Sequence, residues 1–248
     1  MSDTQNDSPR YPSTLAPPTY YQGLTDRITL NLLPTFSRLF SSLPTTNTTS
    51  PSILELASGT GHHSLVYSNA FPSLTFQPTE CDEFNRKRID ETCTEVRSQG
   101  KGAKGGVREA VQLDVMRDED WENLAKLQRE NDEVSNQFDL VIGHNFLHMI
   151  PFPEGPETIF RNLLKHDLVS RSHGMVAFYG PFKHDEGFYS DADVEFDNMI
   201  KARPSTYPIG LRSIDALSRI AQGEGWDFVE KVSMPKNNWV LVYKVKEA

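Results

Sequence analysis

From Asp26 onward the apolar positions follow two rhythms in turn. Ile28, Leu32, Leu33, Phe36, Leu39 and Phe40 fall at helical spacing and predict an amphipathic helix over Asp26–Leu43. Pro34 lies inside it and predicts either a kink or a later start. Short apolar runs then alternate with helical patterns. Ile53–Leu56, Leu74–Phe76, Val107–Val115 (ending in Leu113-Asp114-Val115), Phe138–Gly143 and Met175–Tyr179 read as five strands. Helices are expected through Asn69, near Glu83–Arg97, over Asp118–Glu130 and near Pro156–Leu168, with two more near Val194–Ala202 and Ser213–Glu224. Phe228–Val232 and Trp239–Val245 close the chain as strands.

Parallel strands need long crossovers, and five β/α alternations supply them. The expected fold class is therefore α/β, Rossmann-like, with a mostly parallel sheet covered by helices on both faces. The closing pair, joined through Met234-Pro235-Lys236-Asn237-Asn238, can pair antiparallel. No internal repeat is visible. Residues 1–25, rich in Pro, Ser, Thr and Tyr, read as an irregular arm before a single domain over 26–248. Residues 44–51 read as a linker. Its Asn47-Thr48-Thr49 matches a glycosylation sequon, but it reads as a polar loop. Gly100–Gly106 reads as a flexible surface loop, since no Gly-Lys-Ser/Thr closes it as a phosphate-binding loop would.

Composition narrows the function. With 25 Lys and Arg against 34 Asp and Glu, the formal charge is −9, which disfavours a nucleic-acid partner because such proteins need clustered cations. Cys81 and Cys93 are the two cysteines, too few for a disulfide framework or a zinc finger. The first residues lack a basic and then apolar leader, and no apolar run approaches the ~18–20 residues that span a bilayer. A cytoplasmic protein without a membrane partner is the expectation; the oligomeric state is left open.

The strongest chemical signal follows the first strand. Glu55 is followed by Ala57-Ser58-Gly59-Thr60-Gly61, small residues that let a backbone turn sharply and approach a ligand. Ala57 stands where dinucleotide enzymes have their first Gly, and no third Gly follows Gly61 at the required spacing. Glu80 lies 21 residues after Gly59, where an acid meets ribose hydroxyls in these folds. Asp114, after the third strand, is placed for the exocyclic amine of an adenine. No Lys or Arg flanks the turn to hold phosphate. Ribose and adenine without phosphate describe S-adenosyl-L-methionine, and the expected cofactor-binding set is Glu55, Ala57, Gly59, Gly61, Glu80, Asp114 and Asn145.

Leu54-Glu55-Leu56-Ala57-Ser58-Gly59-Thr60-Gly61-His62-His63 resembles the L-E-[IL]-A-S-G-T-G-x-H fingerprint of a functionally obscure family of methyltransferase-like proteins. The resemblance continues through Phe71–Glu80, Asn145–Pro151, Tyr179–Phe182, Phe196-Asp197, Gly210–Arg212 and Met234–Asn238, covering roughly residues 26–245. It implies a class I methyltransferase fold with seven strands and an S-adenosylmethionine site, and it carries no known substrate. The chain departs from the family pattern at Arg27-Ile28, at residues 189–193 and at Ser213.

Methyl transfer needs orientation above all, and a base only where the acceptor loses a proton. His148, after the fourth strand, is the first choice for base or acceptor-orienting residue; a buried His bonded to a carbonyl is the structural alternative. Tyr179 is a second catalytic candidate or a core aromatic. His144, Phe182, Arg212 and Asn238 are the substrate-side candidates. For Arg212 an ion pair with Asp197 is the competing reading, and for Asn238 it is turn geometry. His144 can equally be structural or face the cofactor, and His63 reads as a polar helix-start residue near it. His62 and His63 are adjacent and face different sides of a helix, so no metal ligand set is expected. The Asp26–Leu43 helix would cover the sheet edge or gate substrate access. Three functions follow: a methyltransferase acting on a small molecule, a biosynthetic cyclase or isomerase on the same scaffold, and a non-catalytic cofactor- or partner-binding protein.

Overall fold

A computed structural model describes residues 18–43, 50–99, 105–130 and 136–247. The first 17 residues of the expected arm, the sequon at 47–49 with most of its linker, and residues 100–104 of the glycine-rich loop lie outside that set. Nine strands form one sheet: β1 (Ser52–Leu56), β2 (Thr75–Glu80), β3 (Gly106–Val107), β4 (Val111–Gln112), β5 (Leu140–His144), β6 (Met175–Lys183), β7 (Arg212–Ser213), β8 (Trp226–Met234) and β9 (Asn238–Val245). The order is β3-β2-β1-β5-β6-β9-β8, with β4 also paired to β2 and β7 to β6. Every pairing is parallel except those of β9, which runs antiparallel to both β6 and β8. This is the expected Rossmann-like arrangement with an antiparallel last strand; the seven expected strands form the continuous path, and the short β4 and β7 are additional to them.

Eight helices accompany the sheet among the described residues: α1 (Pro18–Arg27), α2 (Leu33–Ser41), α3 (His62–Ala70), α4 (Glu83–Gln99), α5 (Asp118–Arg129), α6 (Glu154–Lys165), α7 (Asp191–Lys201) and α8 (Ile214–Gly223). Three expectations need correction. The arm is not irregular throughout, because α1 begins at Pro18. The third strand is split into β3 and β4: the Arg108 N–H still bonds the Phe76 carbonyl of β2, but the Ala110 N–H goes to Asp90, outside the ladder. Its expected end, Leu113-Asp114-Val115, lies past β4, where the chain runs into a turn at Val115-Met116.

The first helical segment also breaks at Pro34. Proline offers no N–H, so the turn ahead of it cannot close with ordinary i→i−4 bonds. Ile28–Leu32 instead forms a single π turn, in which the Leu33 N–H reaches back five residues to the Ile28 carbonyl. α2 then resumes with Pro34 in its first turn, where a missing donor costs nothing.

Strand alternation sorts the core into two faces. Leu54 and Leu56 of β1 join Trp121, Phe160 and Leu217 from α5, α6 and α8. Ile53 joins Phe36 and Phe40 of α2, Tyr67 of α3 and Ile89 of α4. Ile28, Leu32, Phe36, Leu39 and Phe40 are all buried. At about 2 kcal/mol of gross transfer energy each, they bind the amino-terminal helices to the sheet as core rather than as a loose flap.

Candidate functional site

The sheet reverses its strand order between β1 and β5, with β2 beyond one and β6 beyond the other. Ligands of open α/β sheets bind at the carboxyl ends of strands at such a point. β1 ends there in the small-residue turn and β5 in His144-Asn145. Alternate residues share a face, so Glu55 follows Ile53, His144 follows Ile142 and Tyr179 follows Ala177 onto the α3 side. Register aligns them: Glu55 pairs with Ile142, and His144 pairs with Tyr179. Three polar side chains therefore meet at the edge of three neighbouring strands. α3 adds His63, Ser64 and Tyr67.

The carboxylate of Glu55 is 1% exposed. Its Oε2 accepts a hydrogen bond from the Ser64 hydroxyl at 2.5 Å. Its Oε1 lies 3.4 Å from His63 Nδ1 and 3.4 Å from His144 Nδ1, yet makes no hydrogen bond, and neither does His144 Nδ1. The two imidazoles stack with centroids 4.0 Å apart and planes 10° from parallel. His144 Nε2 shares a hydrogen bond with the Tyr67 hydroxyl at 3.1 Å. Burial dominates the electrostatics: it pushes both His63 and His144 down to about 3 and raises Glu55 against the opposing pull of His63 and Ser64. Leaving a buried carboxylate oxygen unpaired costs roughly 1–3 kcal/mol or more, an expense concentrated where the fold places its ligand edge.

The turn after β1 is held from behind. The Ser58 N–H donates to the Thr79 carbonyl at 2.9 Å, and the Thr79 hydroxyl donates to the Glu55 carbonyl at 2.8 Å. Ala57 adopts φ +51, a left-handed conformation that a side chain disfavours and that glycine would take freely. At Gly59 (φ +58) an added Cβ would meet nothing within 4 Å, so the outer face of the turn is open. At Gly61 it would come within 3.2 Å of the Ile89 backbone, so this glycine lets α3 pack on α4.

Glu80 ends β2 facing this turn and is 4% exposed. Its Oε2 accepts from the Gly59 N–H at 3.1 Å, and its Oε1 from the Cys81 N–H at 2.9 Å and the Asp82 N–H at 3.4 Å. Burial raises its pKa against those bonds. Oε2, with one protein donor, keeps a lone pair for another. Asp114 follows β4 and uses Oδ1 to accept from the Met116 N–H at 3.0 Å; among the described residues its Oδ2 makes no hydrogen bond. Asn145 is exposed at φ +55, its N–H bonded to the Tyr179 carbonyl at 2.8 Å. Glu55, Ala57, Gly59, Gly61, Glu80, Asp114 and Asn145 thus lie at or just past the carboxyl ends of β1, β2, β4 and β5, and the bond from the Gly59 N–H to Glu80 links two of them directly.

The other candidates divide. His148 sits in a short 3-10 turn after β5, 8% exposed, with its ring edge-on to Phe196. Burial and the charges of Arg212 and Arg203 push it down to about 4, so the ring is neutral and weakly basic. Tyr179 is half-buried beside His144, and burial raises its hydroxyl. Three substrate-side expectations are corrected. Arg212 spends its guanidinium on the carbonyls of Leu147 (3.2 Å), Ile150 (2.6 Å) and Pro208 (3.1 Å), clamping the turn that carries His148. It does not bond Asp197, which instead accepts from the Leu211 N–H and pairs with Lys201. Phe182 is 2% exposed in the larger core, because it shares the face of Phe178. Asn238 donates to the Pro235 and Lys236 carbonyls within its own turn. Its neighbour Asn237 fastens that turn to Ser190 and Asp193 at the start of α7.

Sequence reasoning placed His63 near the cofactor but missed the polar group of His63, Ser64, Tyr67, Glu55 and His144. Strand parity carries part of the signal, since Glu55 and His144 both lie in phase with an inward apolar residue. The third partner comes from α3, at no fixed sequence offset. A shallow depression of about 330 Å³ between α8 and the start of β8, lined by Trp226 and Phe228 among others, lies at the opposite edge of the sheet. No described helix is long and apolar enough to cross a membrane.

Solved structures with this fold include methyltransferases. An O-methyltransferase family protein from Burkholderia thailandensis shares 14% identity at a TM-score of 0.58, over 92% of this chain and 60% of the other. Magnesium protoporphyrin IX methyltransferase (ChlM) from Synechocystis PCC 6803 with bound SAH shares 12% at 0.54, over 92% and 84%. The S-adenosylmethionine-dependent methyltransferase SibL shares 14% at 0.61, over 92% and 58%. This chain thus spans about three fifths of the first and third. At such identities the likeness establishes the Rossmann-like methyltransferase fold. A family model fits residues 28–245, nearly all of the described chain, and by that match the protein belongs to the family of proteins of unknown function DUF938.

Proposed function

We propose that this protein is an S-adenosylmethionine-dependent methyltransferase acting on a small-molecule acceptor. The observation that carries the reading is the Glu80 carboxylate, held against an open glycine turn at the switch point with one lone pair uncommitted. The donor set fits a nucleoside without phosphate. Glu80 Oε2 would accept from a ribose hydroxyl, and Asp114 Oδ2 from the adenine amine. Gly59 leaves room for close backbone approach. Glu55 braces the turn through its carbonyl, and its carboxylate points beneath it, toward His63 and His144. Bound there, the cofactor would supply a methyl group on a positively charged sulfur. The chain's task is to orient the acceptor along the line of transfer. His148, neutral at physiological pH, would hold the acceptor or take its proton at a ring nitrogen. A net charge of −9 and the similarity to small-molecule enzymes support a small acceptor.

Calorimetry with S-adenosylmethionine tests the binding. Glu80→Ala removes charge-assisted hydrogen bonds of roughly 1.5–3 kcal/mol and is expected to weaken affinity about tenfold or more. Unchanged affinity in a folded variant would remove Glu80 from the site. Release of S-adenosylhomocysteine on incubation with candidate acceptors tests the reaction and separates it from a cyclase or isomerase.

A further inference from the structure

We infer that Glu55, His63 and His144 form a binding site for a divalent transition metal, with zinc the best match. The cluster offers one carboxylate oxygen and two imidazole nitrogens, all within 4.8 Å of one another. Two of the three donor atoms, Glu55 Oε1 and His144 Nδ1, are buried without a hydrogen-bond partner. Bonds of about 2.0–2.1 Å in a tetrahedron place ligand atoms about 3.3–3.4 Å apart, against about 3.0 Å in an octahedron. The distance from Glu55 Oε1 to Nδ1 of His144, the ring that stays in place, is 3.4 Å. The outer contacts are those that ligands need: Ser64 fixes the second carboxylate oxygen, and Tyr67 holds Nε2 of His144, leaving its Nδ1 to the ion.

The imidazole planes are near parallel, so one ring must turn for an ion to lie in both. His63 is the ring free to do so. Its side chain is 15% exposed, the described residues give it no hydrogen bond, and its terminal torsion is broad. The same exposure provides the ion's way in. This inference does not rest on the methyltransferase reading.

The test uses the full chain, stripped with chelator and titrated with zinc by calorimetry and with cobalt by visible absorption. One zinc per chain and a tetrahedral cobalt spectrum, with water as the fourth ligand, are expected. His144→Ala and His63→Ala should each weaken zinc at least about 100-fold, Tyr67→Phe by about 10-fold, and the neighbouring His62→Ala should not change it. No zinc binding by the parent chain, or cobalt bound without a tetrahedral spectrum, would overturn the site whatever the variants do. So would zinc affinity lost in His62→Ala but kept in His144→Ala.

Discussion

His148 makes the acid stability of this fold a measurable test of its electrostatics. Its ring is 8% exposed and faces two arginine charges, so its folded pKa is lowered to about 4. In the unfolded chain an imidazole titrates near about 6.5. Between those values the unfolded state takes up a proton that the folded state refuses. The resulting stability is fully present above about 6.5 and is lost as pH falls toward 4, at about 1.4 kcal/mol per pH unit and about 3 kcal/mol in all. Glu55 and Glu80, whose pKa values are raised, act with the opposite sign: their contribution grows as pH falls. Both remain in a His148→Asn variant, so they cancel in the comparison. Urea denaturation from about pH 7 to about pH 4.5 gives stability as a function of pH for parent and variant. Any packing lost against Phe196 lowers the variant equally at every pH. The slope isolates the proton, and the variant's should be shallower by about 1.4 kcal/mol per unit. Parallel profiles would show that His148 titrates normally in the folded state, and the neutral base assigned to it would fall.

Other substitutions test the local geometry. Ala57→Gly relieves a left-handed alanine and should raise stability by up to about 1 kcal/mol in urea denaturation; a loss of that size would show that the methyl group packs usefully. Gly61→Ala drives a Cβ against Ile89 at positive φ and should cost about 1–3 kcal/mol by the same measurement. Arg212→Ala strips the charged donors from three carbonyls and should cost about 1–3 kcal/mol, with Arg212→Lys restoring only part. Full restoration by lysine would mean that the planar fork is not what holds the turn.

The architecture was legible because it rests on period. Short continuous apolar runs marked β1, β5 and β6, strands buried on both faces, and the helical patterns between them called for parallel crossovers. The broken third strand was not legible, since the Ala110 N–H leaves the ladder for Asp90 of α4, a partner that no local pattern names. The meeting of the glycine turn with an acid at the end of β2 was readable from the spacing of Gly59 and Glu80. The roles of Arg212 and Phe182 were not. Whether a guanidinium meets a ligand or three carbonyls depends on loops distant in sequence, and Phe182 reads as a pocket wall until strand parity puts it with Phe178. The Glu55–His63–His144 group joins two strands and a helix, and spacing along the chain says nothing of that.

Phe36 of α2 stacks against Tyr67 with centroids 5.3 Å apart and lies 5.0 Å from the His144 ring. The amino-terminal helices are therefore electrical insulation for the histidine pair as well as cover. A chain shortened to begin at Ser50 would admit water to that flank, and the imidazoles would drift back toward ordinary basicity. The same shortening would leave the glycine turn and Glu80 in place. Loss of the first helices should thus change what the edge can do with protons before it changes what the edge can hold.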